Sequence, residues 1–250
     1  MTLSKFDILG VKFNLINEKE VIELLLNYDY KNKNYICFPS TDTITLAEKN
    51  NTLQQILNNS FLTLIDGKFT ELIARYKGKN AKVTSAFNIL DTLLQSNLSH
   101  FFYGLSEEDI IILKAKLKEK YPEARILGFK SPPFLSLNEI KDNISVQSDF
   151  EFINSLKPDL IWLGISTPKQ DYMAHYNLQN IDQGLFVCIG AVFLYMADLV
   201  NPGPSWVKKL GIKWLYRLIQ EPKRLWKHTL LTSFDFIKLI IKETFKKKKS

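Results

Sequence analysis

The segment Asp159–Asp171, with the sequence DLIWLGISTPKQD, places the strongest constraint on the fold of this chain of 250 residues. Its first half is an unbroken apolar run, which is typical of a strand buried on both faces of a parallel sheet. A turn containing Gly164 follows. The next helix is predicted to have Pro168 at its first position and Ser166 or Thr167 as its N-cap. We therefore predict strand, polar turn and helix in succession, at the edge of an open α/β sheet where ligands bind.

The same alternation of strands and helices continues over the first 200 residues. Predicted strands form a hairpin at residues 6–16 and then cover residues 35–38, 62–65, 101–104, 124–128, 160–165 and 185–190. Predicted helices cover residues 18–27, 43–58, 69–76 and 86–97, with one more after Ser106 and one that leads into the strand at residue 160. This alternation predicts an α/β fold, a Rossmann-like and mostly parallel sheet flanked by helices, in a core spanning residues 1–200.

The last fifty residues have a different composition. Residues 201–250 contain 13 Lys or Arg and 3 Asp or Glu, a balance of +10, whereas residues 1–200 contain 20 and 23, a balance of −3. Trp and Tyr alternate with Lys and Arg in a helical pattern, which suits a membrane interface with anionic headgroups. We predict an all-helical, membrane-associating appendage over residues 201–250. The alternative is a helical lid that packs on the core and carries a solvated lysine tail.

Several classes of protein are disfavoured by the sequence. No window reaches the roughly 18 apolar residues of a spanning helix, and the first residues lack a signal-peptide pattern. We therefore expect a cytoplasmic protein that is peripheral on the inner face of the cell membrane. Cys37 and Cys188 lie far apart in predicted strands, and the three histidines are scattered. This spacing favours core cysteines in a reducing compartment and argues against a metal site.

Asp66 is the strongest candidate for acid–base chemistry. It ends a predicted strand and is followed by Gly67 and a helix, so its carboxylate is expected at the same sheet edge as the turn after Gly164. There it can act as a general base toward a sugar hydroxyl. The alternative is an ordinary Asp-Gly turn. Asp42 has the same position one unit earlier, with a helix cap as its alternative role.

Four cations and amides are candidates for binding phosphate or sugar. Lys169 and Gln170 lie in a first helical turn, where the helix dipole favours anions. Arg217 and Arg224 are two helical turns apart, and paired guanidinium groups suit a pyrophosphate. In both cases the alternative is a solvated surface residue.

Four motifs together resemble the WecG/TagA/CpsF family of glycosyltransferases. They are Asp66-Gly67, the GISTPKQD sequence at 164–171, the IGAVF sequence at 189–193, and GIKWLYR with EPKR at 211–217 and 221–224. The resemblance covers about residues 5–230. It implies an inverting transfer of a sugar, commonly N-acetylmannosamine, from a UDP donor to a polyprenyl-diphosphate-linked sugar at the inner membrane face, with no metal or other cofactor.

The resemblance also implies roles for individual residues. Asp66 is expected to be the base, Gln170 to lie in the sugar or nucleotide site, and Arg217 and Arg224 to hold the lipid diphosphate. The residues predicted to bind substrate are Ser40, Asp42, Gly67, Thr167, Lys169, Gln170, Gly190, Arg217 and Arg224. The expected partners are the UDP-sugar, the lipid-linked acceptor and the inner leaflet, and the chain is compatible with a homo-oligomer.

The chain departs from the family pattern at several polar positions. The substituted positions are Phe38, Ser40, Ser85, Phe87, Leu194, Pro202 and Lys213. Because Asp66, Gln170 and the two arginines are kept, we favour an active enzyme with a different donor sugar. The alternative is a catalytically silent, membrane-bound scaffold of a glycan synthase complex. Nucleic-acid binding is disfavoured because the basic tail carries membrane-type aromatics and no nucleic-acid motif.

Overall fold

The computed structural model describes residues 3–141, 143–201, 203–204, 216 and 234–244. A two-stranded antiparallel hairpin consists of β1 (Lys5–Ile8) and β2 (Val11–Asn14). The main sheet contains β3 (Asn34–Cys37), β4 (Leu62–Thr63), β5 (Ser99–Gly104), β6 (Arg125–Lys130), β7 (Leu160–Gly164) and β8 (Leu185–Cys188). Its strand order is β4-β3-β8-β7-β5-β6, and neighbouring strands are parallel. The predicted α/β fold class is thus confirmed.

Helices cover both faces of this sheet. They are α1 (Glu18–Leu26), α2 (Thr41–Lys49), α3 (Asn51–Asn59), α4 (Lys68–Tyr76), α5 (Ala86–Leu93), α6 (Glu107–Lys120), α7 (Ile144–Leu156), α8 (Lys169–Asn177), α9 (Val192–Met196), a 3₁₀ turn at Leu137–Glu139 and α10 at 234–244. In β7, Ile161 and Leu163 pack into one apolar cluster, and Leu160 and Trp162 pack into the other. Because each face has its own core, the strand is apolar at every position.

A buried polar pair joins β7 to its neighbour β5. The indole nitrogen of Trp162 donates to Nδ1 of His100 at 3.1 Å. Both side chains are inaccessible to solvent. Burial lowers the pKa of the His100 imidazole to about 4, so the neutral ring is the form that packs here.

Two predicted elements have different boundaries in the structure. The helix predicted at 43–58 is two helices, because Asn50 has an extended backbone (φ −132°, ψ 98°) and its side chain caps α3 by accepting from the amide of Leu53. Asparagine competes with the helix for backbone hydrogen bonds, which explains the break. The strand predicted at 62–65 is reduced to two residues at the sheet edge, although the amide of Leu64 still donates to the carbonyl of Cys37 at 2.9 Å.

The predicted start of α8 was also wrong in detail. Pro168 occupies the N-cap, the first helical residue is Lys169, and no side chain caps the helix. Neither hydroxyl is needed, because backbone carbonyls already accept from the first amides. Gln170 donates to Ser166 at 3.3 Å, and Asp171 donates to Pro168 at 3.0 Å.

The helix α10 packs on α4. Its Phe236 is fully buried, with the ring centroid 5.7 Å from that of Phe69. At the other end of this contact, Glu243 lies 2.6 Å from the ammonium group of Lys77. No helix within the described part of the chain is long and apolar enough to cross a membrane. The boundary proposed after residue 200 stays a prediction.

Candidate active site

The carboxyl ends of β5 and β7 form a crevice at the edge of the sheet. The chain leaves β5 toward β6 on one side and leaves β7 toward β8 on the other, although β5 and β7 are neighbours. Helices that depart in opposite directions leave a gap between the strand ends, and this is where open α/β sheets bind ligands. The turn after Gly164 that was singled out from the sequence forms one side of this crevice.

Two glycines form the floor of the crevice. Gly104 ends β5 with φ +150°, and a Cβ atom there would lie 2.6 Å from the carbonyl oxygen of Gly164. A Cβ atom at Gly164 would lie 2.0 Å from the ring of Phe193. The close approach of the two strand ends therefore requires glycine at Gly104, and the packing of the Phe193 ring against the end of β7 requires glycine at Gly164.

A pocket of about 390 Å³ opens above these glycines. Its walls include Leu105, Ser106, Ser131, Phe134, Ser166 and Lys169. The ammonium group of Lys169 lies 4.6 Å from the centroid of the Phe134 ring. One cation, several hydroxyl groups and an exposed aromatic ring together suit a phosphate joined to a flat ring.

Asp66 lies at the same edge, two strands beyond β8. It is exposed, and it lies three residues after the end of β4. Gly67 is the N-cap of α4 and leaves the helix start without a side-chain cap. The amide of Thr84 donates to the carbonyl of Ile65 at 2.8 Å, which fixes the turn that carries Asp66. The prediction that this carboxylate lies at the carboxyl edge is consistent with the fold, and its role stays a prediction.

A buried carboxylate, that of Glu71, connects α4 to the segment before α5, next to the turn that carries Asp66. Glu71 in α4 is 3 % exposed and lies 2.8 Å from Lys68 and 2.9 Å from Arg75. It also accepts from the amide of Val83 at 3.2 Å. Burial alone would raise the pKa of Glu71. The ion pairs with Lys68 and Arg75 and the hydrogen bond from the Val83 amide outweigh this effect and lower the pKa, so the carboxylate stays ionised.

Ser40 and Asp42 follow β3 between Asp66 and the crevice. Ser40 is the N-cap of α2, where its hydroxyl accepts from the amide of Thr43 at 3.3 Å. Asp42 is half-buried in the first turn of the same helix. The capping role that was the alternative for this helix start belongs to Ser40.

Gln170 connects the two halves of the edge. The side chain starts in the first turn of α8, is 1 % exposed, and donates from Nε2 to the carbonyl of Cys188 at the end of β8 at 3.2 Å. Its oxygen accepts no hydrogen bond from the described residues. Gly190 (φ +55°) lies next to it, since a Cβ atom there would be 3.4 Å from Oε1. Between β8 and β4 there are two strand spacings, or about 10 Å.

The remaining predicted site residues are Thr167, Lys169, Arg217 and Arg224, and only the first two lie in the described part of the chain. Thr167 is exposed beside the pocket, and Lys169 lines it. Arg217 and Arg224 lie outside the described residues. Ser106, Ser131 and Phe134 also line the pocket and were not predicted as site residues from the sequence. The stiff Ser-Pro-Pro-Phe sequence after β6 was the available clue, but only the strand order brings it next to Lys169.

Comparison with known proteins identifies the type of enzyme. The family model described as "Glycosyl transferase WecG/TagA/CpsF family" matches residues 6–250. The chain belongs to the WecG/TagA/CpsF family of glycosyltransferases. The resemblance seen in the sequence motifs is therefore confirmed, and this family member is a glycosyltransferase.

Curated relatives of this family member share one name, N-acetylglucosaminyldiphosphoundecaprenol N-acetyl-beta-D-mannosaminyltransferase. The protein of Bacillus spizizenii is 23 % identical over 189 residues, which cover 74 % of this chain and 70 % of the relative. The protein of Bacillus subtilis is 24 % identical over 207 residues, covering 81 % and 77 %. A Staphylococcus aureus protein is 22 % identical over 232 residues, covering 89 % and 87 %.

Two departures from the WecG/TagA/CpsF pattern have structural roles in this chain. Ser85 caps α5 by accepting from the amide of Asn88 at 3.3 Å. The ring of Phe87 lies 5.6 Å from the ammonium group of Lys120. Ser85 therefore stabilises the start of α5, and Phe87 contributes to the contact between α5 and α6. Neither residue needs a role in substrate binding to account for these contacts.

Proposed function

We propose that this glycosyltransferase moves a sugar, N-acetylmannosamine or a related hexose, from a UDP-sugar to a polyprenyl-diphosphate-linked sugar, with inversion. The family match over residues 6–250 carries this proposal. The names of the relatives supply the acceptor class, a diphosphoundecaprenol-linked N-acetylglucosamine. The product belongs to the assembly of a cell-surface polysaccharide.

The nucleotide occupies the pocket at the crevice in this proposal. Lys169 contributes a positive charge for the diphosphate, and the face of Phe134 that is turned away from Lys169 is available to an aromatic base. The sugar then extends along the edge toward Gln170 and Gly190. The amide of Gln170 is already fixed by Cys188, so it needs little reordering to bind a sugar hydroxyl or amide.

Asp66 is the general base in the proposed reaction. Its carboxylate removes the proton from the acceptor hydroxyl as the oxygen attacks the anomeric carbon. The bond from that carbon to the UDP oxygen breaks at the same time, and the electron pair leaves with UDP. Attack from the side opposite UDP inverts the anomeric centre. The strand order is compatible with this assignment, since Asp66 and the pocket lie at the carboxyl edge of one sheet and a donor that extends from the pocket along this edge directs its sugar toward Asp66.

An exposed apolar surface supports the proposal that the acceptor is lipid-linked. On α4, Phe69, Leu72 and Tyr76 are exposed at helical spacing, and on α10 the exposed apolar residues Phe234, Ile237 and Ile241 have the same spacing. The contact between Phe69 and Phe236 joins the two rows. We call these six residues the apolar rows. Exposed Lys238 and Lys242 flank them, which favours an anionic leaflet.

The enzyme is therefore proposed to rest on the inner leaflet through the apolar rows and the basic segment 201–250. This places α4, which begins directly after Asp66, against the lipid surface. A base close to the membrane suits an acceptor whose diphosphate is anchored there. Cytoplasmic location on the inner face is part of the same proposal.

Transfer from a panel of UDP-sugars to a short-chain lipid-diphosphate acceptor tests the proposed function. We expect one donor to give an inverted product that is detected by mass spectrometry and NMR. Calorimetry with each donor, together with liposome binding, separates this function from the scaffold alternative. If no donor binds while liposome binding is intact, the transferase proposal is wrong for this chain.

A further inference from the structure

The only two cysteines of the chain lie next to each other in the fold. Cys37 ends β3 and Cys188 ends β8, and the two residues are registered partners in the parallel sheet. Both are fully buried and neither forms a disulfide. Their separation in the sequence concealed this pairing, because it depends on β3 and β8 being neighbours.

Asp171 completes a cluster with these two thiols. It is 1 % exposed, and its carboxylate oxygens accept no hydrogen bond from the described residues. The thiol of Cys37 faces the carboxylate. One carboxylate oxygen and the two sulfur atoms lie within 4.8 Å of one another.

The geometry is close to that of a tetrahedral zinc site. With bonds of about 2.3 Å to sulfur and about 2.1 Å to oxygen, ligand atoms in such a site are separated by roughly 3.4–3.8 Å. Ligand atoms that lie up to 4.8 Å apart therefore need to approach by up to about 1.0–1.4 Å to bind one ion. Two thiolates select zinc over magnesium or calcium, which prefer oxygen ligands.

We propose that Cys37, Cys188 and Asp171 bind a zinc ion in the core, beneath the carboxyl edge of the sheet. Binding releases the protons of the groups that become ligands, and a further donor such as water completes four-coordination. The ion gives the carboxylate of Asp171 a charged partner, whereas without it the thiol of Cys37 is the group that faces this buried acceptor. The remaining negative charge lies at the positive end of the α8 dipole, because Asp171 is in the first turn of that nine-residue helix.

The zinc site is structural in this proposal. It ties the first turn of α8 to the ends of β3 and β8, directly next to Gln170 in the chain. It does not take part in sugar transfer, and it is independent of the proposed function. Zinc in this position would fix the orientation of the turn that carries Lys169 and Gln170.

Metal content is the direct test. The full chain is purified under reducing conditions from medium supplemented with zinc, and bound metals are measured by inductively coupled plasma mass spectrometry. We expect about one zinc ion per chain. Cys37→Ser and Cys188→Ser should each lower the zinc content by about tenfold or more, since loss of one ligand weakens the site. Asp182→Asn, an exposed carboxylate before β8, is the matched control and should retain zinc.

A spectroscopic measurement on the wild-type protein covers the case in which serine variants fail to fold. Cobalt(II) added to the zinc-free protein should give the intense near-ultraviolet absorption of thiolate–cobalt charge transfer, and zinc should displace it. Absence of zinc together with absence of this absorption would overturn the proposal. So would zinc content that persists in the double serine variant, or a chain mass showing that the two cysteines form a disulfide.

Discussion

The side-chain amide of Gln170 donates to the carbonyl of Cys188 at 3.2 Å, so a residue of helix α8 is fixed to the end of strand β8. Gln170 is nearly fully buried, yet its oxygen accepts no hydrogen bond from the described residues. A buried amide oxygen without a partner is unusual, and this observation motivates the proposed role of Gln170 in the sugar site. This contact joins α8, whose first turn carries Lys169 beside the pocket, to β8, which lies between the pocket and the strands nearer Asp66.

We predict that Gln170→Met separates stability from activity. Methionine keeps the volume but leaves the Cys188 carbonyl without its donor, which should cost about 1–2 kcal/mol in the free energy of unfolding. Loss of the amide from the site should lower kcat/KM on the order of a hundredfold. Urea unfolding and initial rates at saturating acceptor measure the two effects. If activity falls only as far as the folded fraction does, Gln170 has no role in the site.

Asp66→Asn should abolish most of the turnover while leaving the fold intact. The amide cannot accept the proton of the acceptor hydroxyl, so kcat should fall about a hundredfold or more. KM for the UDP-sugar should change little, because the base acts on the acceptor. Asp182→Asn is the matched control and should keep wild-type rates. Wild-type turnover by the Asp66→Asn enzyme would show that another group is the base.

Lys169→Met should weaken the binding of the nucleotide. Removing a charge-assisted contact to phosphate costs about 1.5–3 kcal/mol, which is tenfold or more in the Kd for UDP. The wild-type affinity should also fall with added salt, and the variant should lose part of this dependence. Lys118→Met, on the exposed surface of α6, provides the control. Equal UDP affinities for the Lys169 and Lys118 variants would place the diphosphate elsewhere.

Leu72→Glu and Ile237→Glu should each reduce binding to anionic vesicles. Each change replaces an exposed member of the apolar rows by a charge of the same sign as the lipid headgroups. Withdrawal of one such side chain from lipid is worth about 1.5–3 kcal/mol, which is about tenfold to a hundredfold in the partition coefficient. Ile111→Glu is the control, because Ile111 is 70 % exposed on α6 outside the rows. Cosedimentation that is unchanged by all three substitutions would contradict the proposed membrane surface.

Stability should fall as the pH is lowered from about 6.5 to about 4 because of His100. Burial lowers the pKa of the folded imidazole to about 4, whereas the unfolded ring binds a proton near pH 6.5. The unfolded state therefore takes up the proton first, and the stabilisation present above pH 6.5 is lost toward pH 4. The loss is on the order of 3 kcal/mol at most.

His100→Gln should remove this pH dependence, since glutamine does not titrate and can still accept from Trp162. The measurement is urea unfolding of both proteins between pH 4.5 and 7.5, taken as the difference in free energy at each pH. A difference that stays constant over this range would show that His100 does not control the acid sensitivity.

The sequence predicted most of the fold because its signals were local. The apolar run before Gly164 and the Asp-Gly pair at Asp66 each indicate a strand end without reference to other strands. Asn50 was predicted to lie inside one helix because asparagine is tolerated within helices. Its role as the N-cap of α3 depends on the extended backbone at this position, which the sequence pattern does not indicate. Pro168 was predicted at the first helical position but is the N-cap, because backbone carbonyls replace the hydroxyl cap that the sequence led us to expect.

The site was predicted less completely because it depends on the order of strands in space. The pocket exists because β5 and β7 are neighbours, and no local pattern gives that adjacency. Cys37 and Cys188 were predicted to be unrelated core residues because they are far apart in the sequence, and only the adjacency of β3 and β8 brings them together. Lys169 and Gln170 were found because they belong to a single turn, whereas Phe134 was missed because it reaches the pocket from another connection.

The position of Asp66 after an edge strand affects how the enzyme moves. β4 is registered with β3 over two residue pairs, and on its other side the described residues provide no paired strand but only the side chain of Asn14, which accepts from the amide of Thr63, whereas β8 is paired on both sides. Local opening at β4 therefore costs less free energy than opening in the centre of the sheet, so its amides should exchange hydrogen sooner. In the proposed reaction the base therefore lies next to the strand that opens at the lowest cost, whereas the proposed donor pocket lies between β5 and β7, which are each paired on both sides.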